Sequence, residues 1–331
     1  MRMKSVKTVC AGLLLTLSVC GISGCGIGKT KVVVNSGFQG EEVFEINGEI
    51  STLPQAKVFL TNYQNLYATM YGVDLWNKDL GDCDLETYVK NLTLSQMAQI
   101  MTMDFLAEEK GIKLGEEEKS KIKEAAQEYY LSLNEEEKQY MCVNQGDIEK
   151  LYTRYGLANK LYTSLTGAIN AEVSDDDARV MEAMQIYVTE ERVADEIQNQ
   201  LSQGGDFVSL AGLYSEVEER TITFGRENVS KELAEVAFQL EDQQTSGKIA
   251  ANNGFYFLKC TNHYNQELTD ANKSVILENR RKETFEDVYS EYLTTISSKY
   301  NEKVWDEVKL KINDKITTDS FFQVYDKYCK W

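Results

Sequence analysis

The chain has 331 residues, 42% hydrophobic and 27% charged, enough for two domains with cores of their own, and this composition fits neither general disorder nor a polytopic membrane protein. Lys and Arg number 35 against 53 Asp and Glu, a formal charge of -18 that argues against nucleic acid as a partner. A single histidine, His263, excludes two-His zinc sites and His-paired acid–base chemistry, and no cofactor is expected.

Residues 1–24 place Arg2, Lys4 and Lys7 before an apolar run from Val9 to Ile22, the layout of an export signal. The run is short for a bilayer span of about 20 residues. Ile22-Ser23-Gly24-Cys25 resembles a bacterial lipobox, so the mature chain is expected to start at Cys25 and to be held to the membrane by lipid on that thiol. Residues 25–44 read as a Gly- and Ser-containing tether. Cys83, Cys142, Cys260 and Cys329 have wide spacings that match no metal motif, and free, mostly buried thiols are expected over two disulfides.

The segment EEVFEINGEIS alternates about Asn47-Gly48 as a hairpin does. Pro54, the only proline, then falls in the first turn of a helix whose stripe is Ala56, Phe59, Leu60, Tyr63, Leu66, Tyr67 and Met70. Further helices are read over Leu85–Phe105, Glu116–Leu131 and Asp147–Leu165, completing the N-terminal part (45–168) of a helical domain. The pattern changes over 172–265: strand Met184–Val188, a helix to Gln203 ended by Gly204-Gly205, a short helix SLAGLYS, strand Thr221–Phe224, helix LAEVAFQL and strand GFYFLKC. Residues 268–331 return to helix, from Asp270 to Lys299, whose stripe needs the N-terminal helices as partner. The closing segment TTDSFFQVYDKYCKW either docks there or lies free. The acidic runs Glu116–Glu118, Glu135–Glu137 and Asp175–Asp177 suit helix starts better than calcium, for no D-x-D-x-D-G loop accompanies them.

This order, from lipoprotein signal through an ING turn and helices to a small α/β module and a long helix, resembles the extracytoplasmic foldases of the PrsA and SurA type. GGDFVSLAGLYSE (204–216) looks like the parvulin G-x-D-F-x-x-L-A-x-x-Y-S segment, ELAEVAFQLEDQQTSGKI (232–249) like F-x-x-A-A-F-x-L-x-x-G-x-x-S, and GFYFLKC (254–260) like G-Y-H-I-I-K-V. The resemblance implies an α+β fold, a mostly helical SurA-like domain made by both chain ends around an inserted parvulin-like module of four strands. It also implies a pocket lined by Gln185, Val217, Val229, Leu233, Phe238 and Tyr256. Gln185 and Tyr256 stand where the family has histidines, Val217 where it has Asp or Cys, and Val229 and Leu233 where it has Met and Phe.

Isomerase activity is therefore expected to be weak or absent. The expected partners are unfolded or newly exported polypeptides and the membrane through Cys25, at its extracytoplasmic face. Homodimerisation is left open. Met70, Met97, Met101 and Met103 suit a cleft that tolerates many clients, although such spacing is more often plain core. The alternatives are a solute-binding lipoprotein, which needs repeated βαβ units, and an adaptor whose module only pairs with a partner.

Overall fold

The structure is a computed structural model that describes residues 32–34, 37–72, 76 and 84–330. The export signal, Cys25 and Cys83 lie outside the described residues. The chain divides into two units: the described residues up to Gly167 together with those from Phe285, and Ala168–Thr284. The observed class is α+β, with a mostly helical unit built from both chain ends and a module of four strands between them in sequence.

In chain order the first unit opens with β1 (Val32–Val34), inside the stretch read as tether, then β2 (Glu42–Ile46) and β3 (Glu49–Thr52). Asn47 and Gly48 carry φ of 50° and 86°, the left-handed pair that a two-residue hairpin requires. Helices α1 (Leu53–Tyr71), α2 (Leu85–Glu109), α3 (Glu116–Ser132), α4 (Glu135–Met141) and α5 (Gln145–Thr166) follow. The Thr52 N–H donates to Gln55 Oε1 (3.1 Å) at the start of α1, and Asn134 Oδ1 and Asn144 Oδ1 accept from the first-turn amides of α4 and α5.

The second unit contains α6 (Asp175–Ala178), β4 (Val180–Val188), α7 (Glu191–Ser202), α8 (Phe207–Tyr214), β5 (Thr221–Gly225), a 3-10 turn at Arg226–Asn228, α9 (Lys231–Ala237), β6 (Ile249–Ala251) and β7 (Gly254–Asn262). Its sheet is antiparallel, in the order β5-β4-β7-β6. β4 is nine residues long, so the strand begins four residues before the MQIYV run. Both faces of this sheet are covered, which is why its central strands lack a polar side. Met181, Ala183, Leu258 and Cys260 pack with α9 on one face, and Ile186, Val188 and Phe257 pack with α7 and α8 on the other.

Helix α10 (Gln266–Leu293) ends six residues before the expected Lys299. The Thr294 and Thr295 hydroxyls donate back to the carbonyls of Glu291 and Tyr292, competing with the helical ladder at the point where it stops. The chain then forms β8 (Ser298–Tyr300), which pairs antiparallel with β2 and parallel with β1, giving a second sheet ordered β1-β8-β2-β3. Lys299 faces Glu45 across this pairing at 2.7 Å. Short α11 (Glu302–Asp306) and α12 (Phe321–Tyr328) complete the unit.

The closing segment docks. Phe321 and Tyr325 are fully buried, with Phe321 in ring contact with Phe59, Tyr129 and Tyr152. Between β8 and α12 the chain has almost no ladder of its own, and its backbone groups are met by side chains instead. Gln64 bonds both the N–H and the carbonyl of Lys311, Asn65 donates to the Thr318 carbonyl, and Asn62 accepts from the Phe321 N–H. The fully buried Glu137 carboxylate accepts from the Thr317 and Thr318 amides at 2.8 Å each and from the Thr318 hydroxyl at 2.9 Å. This explains why α1 buries amides on the side away from its apolar stripe.

Met97, Met101 and Met103 are core residues, whereas Met70 is 60% exposed and leaves the stripe expected of it. Cys142 is an exposed free thiol, and Cys260 and Cys329 are buried free thiols. Among the described residues no helix is long and apolar enough to cross a membrane, and no cluster of metal-ligating side chains occurs.

Candidate functional site

On the α9 face of the second unit's sheet lies a cavity of about 450 Å³. β4 and β7 position its floor. Gln185 pairs with Leu258 and Tyr187 with Tyr256, so these side chains share the face that also carries Ala183 and Cys260. Gln185 sits just past the last β4–β5 pair, Met184 with Thr221. Its N–H donates to the Arg220 carbonyl (2.8 Å) and its side-chain Nε2 to the Glu219 carbonyl (2.7 Å), so the amide closes the open end of the ladder.

Tyr256 is backed by Tyr187, ring centroids 4.7 Å apart at 46°. Tyr187 lies so closely over Gly254 that a Cβ there would come within 2.4 Å of the ring, which accounts for glycine at the start of β7. The opposite wall is the turn from β5 into α9. The Gly225 N–H donates to Asn228 Oδ1 (3.0 Å), closing the 3-10 turn, and Ser230 Oγ accepts from the Leu233 N–H to cap α9. Capping fixes where Val229 and Leu233 enter the cavity beside Ile222 and Phe224.

Of the six pocket residues named from the sequence, Gln185, Val229, Leu233 and Tyr256 line this one cavity. Phe238 does not. It is buried one layer back, edge-on to Phe224 (5.8 Å, 89°), with the guanidinium carbon of Arg226 4.4 Å from its ring centroid. Val217 is half-buried in the stretch between α8 and β5 and is not part of the lining. His263 is partly exposed beyond β7, where its N–H donates to Asp242 Oδ1 (2.7 Å) and its Nδ1 lies 3.0 Å from the same oxygen. These two contacts hold the Asp242 carboxyl below its ordinary value.

The rest of the lining, including Thr223, Glu227, Asn228, Ser230 and Asn252, was not singled out from the sequence. Gly225, Asn228 and Ser230 are turn and cap residues, and that was the only signal they carried. The cavity thus combines an apolar cradle with neutral polar groups and one carboxylate, Glu227, and its lining holds neither an imidazole nor a thiol. Such a site suits conformational work on a bound peptide and offers no activated nucleophile.

Residues 170–273 match the family described as PPIC-type PPIASE domain. The chain is 23% identical over 330 residues to Foldase protein PrsA of Caldanaerobacter subterraneus subsp. tengcongensis, covering 91% of this chain and 98% of that protein. It is 28% identical over 169 residues to Foldase protein PrsA 3 of Bacillus cereus, covering 46% of this chain and 57% of that protein. A crystal structure of peptidylprolyl isomerase (PrsA) from Bacillus cereus aligns with a TM-score of 0.42 and 20% identity, over 75% of this chain and 97% of that one.

Proposed function

We propose that this chain, whose residues 170–273 form a parvulin-type domain within a chain resembling PrsA, is an extracytoplasmic foldase that holds newly exported polypeptides and isomerises proline bonds weakly or not at all. Lipid on Cys25 keeps it at the membrane, and its release from the membrane fraction on Cys25→Ser is the corresponding test.

The observation that carries the reading is the state of Gln185 and Tyr256. Rotation about an X-Pro bond crosses a barrier of about 20 kcal/mol, lowered by seating the ring in an apolar pocket and tuning hydrogen bonds around the twisted amide. Val229, Leu233, Ile222 and Phe224 supply apolar seating. One of the two side-chain N–H donors of Gln185 is spent on the Glu219 carbonyl, which fixes the amide at the ladder's end, and Tyr256 brings a phenol in place of an imidazole. Ground-state binding therefore persists, while the groups that favour the twisted amide are reduced.

A proline-peptide isomerisation assay on the full chain tests this. The expected result is a rate within about tenfold of the uncatalysed reaction, a gain of about 1.4 kcal/mol or less. A rate typical of an active parvulin would overturn it. Protection of a denatured exported protein from aggregation separates the foldase from an adaptor, which would give none at stoichiometric excess.

A further inference from the structure

We infer that the cavity of the second unit selects proline segments in which a Lys or Arg neighbours the proline. The inference rests on reading that cavity as a proline-peptide cleft. Among its lining residues Glu227 alone is charged. Its side chain folds back over Gly225, with Oε1 3.0 Å from where a Cβ of that residue would lie, and it enters no ion pair among the described residues.

The nearby bases are turned elsewhere. Arg226 covers Phe238 and pairs with Asp176 at 3.0 Å, Arg179 bonds the Phe238 carbonyl, and Lys231 reaches Glu235 on its own helix. Arg220 lies near Gly212 of α8, on the opposite face of the sheet. The cleft therefore presents one uncompensated carboxylate in a lining that also holds the Tyr256 ring. A carboxylate and an aromatic face together favour the cationic head of a Lys or Arg and penalise an acidic neighbour.

The experiment titrates the isotope-labelled full chain at low salt, by NMR, with capped Ala-Lys-Pro-Phe, Ala-Ala-Pro-Phe and Ala-Glu-Pro-Phe, and with Ala-Lys-Ala-Phe as the control without proline. Glu227 is exposed and caps nothing, so Glu227→Gln and Glu227→Lys should retain the fold. The Lys-Pro peptide is expected to bind up to about fivefold more tightly than Ala-Pro, the value of one exposed pair, and Glu-Pro more weakly than either. Glu227→Gln should remove the preference and Glu227→Lys should invert it, both effects shrinking with added salt. Equal binding of the three proline peptides would overturn the charge selection and leave the cleft reading standing. Binding that ignores the loss of proline, or no binding at all, would overturn both.

Discussion

Phe321→Ala probes the docking of the closing segment. Phe321 is fully buried, with ring centroids 5.0 Å from Phe59, 5.2 Å from Tyr129 and 4.5 Å from Tyr152. Its backbone is anchored from both sides, the N–H to Asn62 (2.9 Å) and the carbonyl to the Tyr152 hydroxyl (2.6 Å), so the neighbours cannot easily collapse into the space the ring leaves. A buried Phe→Ala change costs about 3–5 kcal/mol, and with the lost aromatic pairs the upper part of that range applies. That is a large share of a domain's reserve of about 5–15 kcal/mol. Of the chain's tryptophans, Trp76, Trp305 and Trp331, none falls within Ala168–Thr284, and the described Trp76 and Trp305 belong to the first unit, so fluorescence in urea follows that unit. With a slope of about 2 kcal/mol per molar, the midpoint should fall by about 2 M. Phe321→Leu keeps most of the volume and should lose less than half as much. A shift below about 0.5 M for the alanine variant would mean that the ring does not hold the segment.

Other predictions address separate features. Glu137→Gln can keep its oxygen on the Thr317 and Thr318 amides only by setting its NH2 where Oε2 accepts from the Asn134 N–H, and should cost about 2–3 kcal/mol by the same fluorescence measurement; an unchanged midpoint would refute the buried network. Gly254→Ala should displace Tyr187 and cost about 1–3 kcal/mol in thermal unfolding of the second unit, with loss of peptide binding; a variant that binds as before would show that Tyr256 does not need its neighbour. Burial, with Glu108 nearby, pushes the Asp104 carboxyl up to about 6. Because the folded value lies above the unfolded one, the unfolded chain sheds this proton first and stability falls as pH rises from about 4 to about 6. Asp104→Asn should therefore stabilise the first unit at pH 7 by roughly 1–2 kcal/mol, allowing for Arg154 at 3.8 Å, and change little at pH 4; equal effects at both pH values would refute it.

How far the sequence spoke depended on whether a feature is local. The Asn47-Gly48 hairpin, the first helix with its proline, and strands β5 and β7 carry their signals within a few residues, and all are observed. Strands β1, β6 and β8 are three residues each, too short for a periodicity to mark them, and β1 and β8 pair with partners far away in sequence. The run from Thr294 to Lys299 continues the helix in composition, and β-sheet pairing with Phe44–Ile46 overrides it. Polar Asn62, Gln64 and Asn65 look like a solvated face of α1, yet they serve the backbone of a segment about 250 residues away.

Within the candidate site, Gln185, Val229, Leu233 and Tyr256 were reachable through the motif resemblance because strand parity and the cap of α9 fix their directions. Phe238 was not, since a helix position gives its side but not its depth. The glycine of the quoted pattern falls on Gln243, which nonetheless adopts φ +67°, a conformation the residue type conceals.

The most direct test is to refold a denatured exported protein with a slow X-Pro-limited phase, with and without the full chain in excess. The account predicts a higher yield of native protein and a slow-phase rate changed by less than about twofold. An unchanged yield, or a slow phase accelerated as an active isomerase would accelerate it, would contradict it.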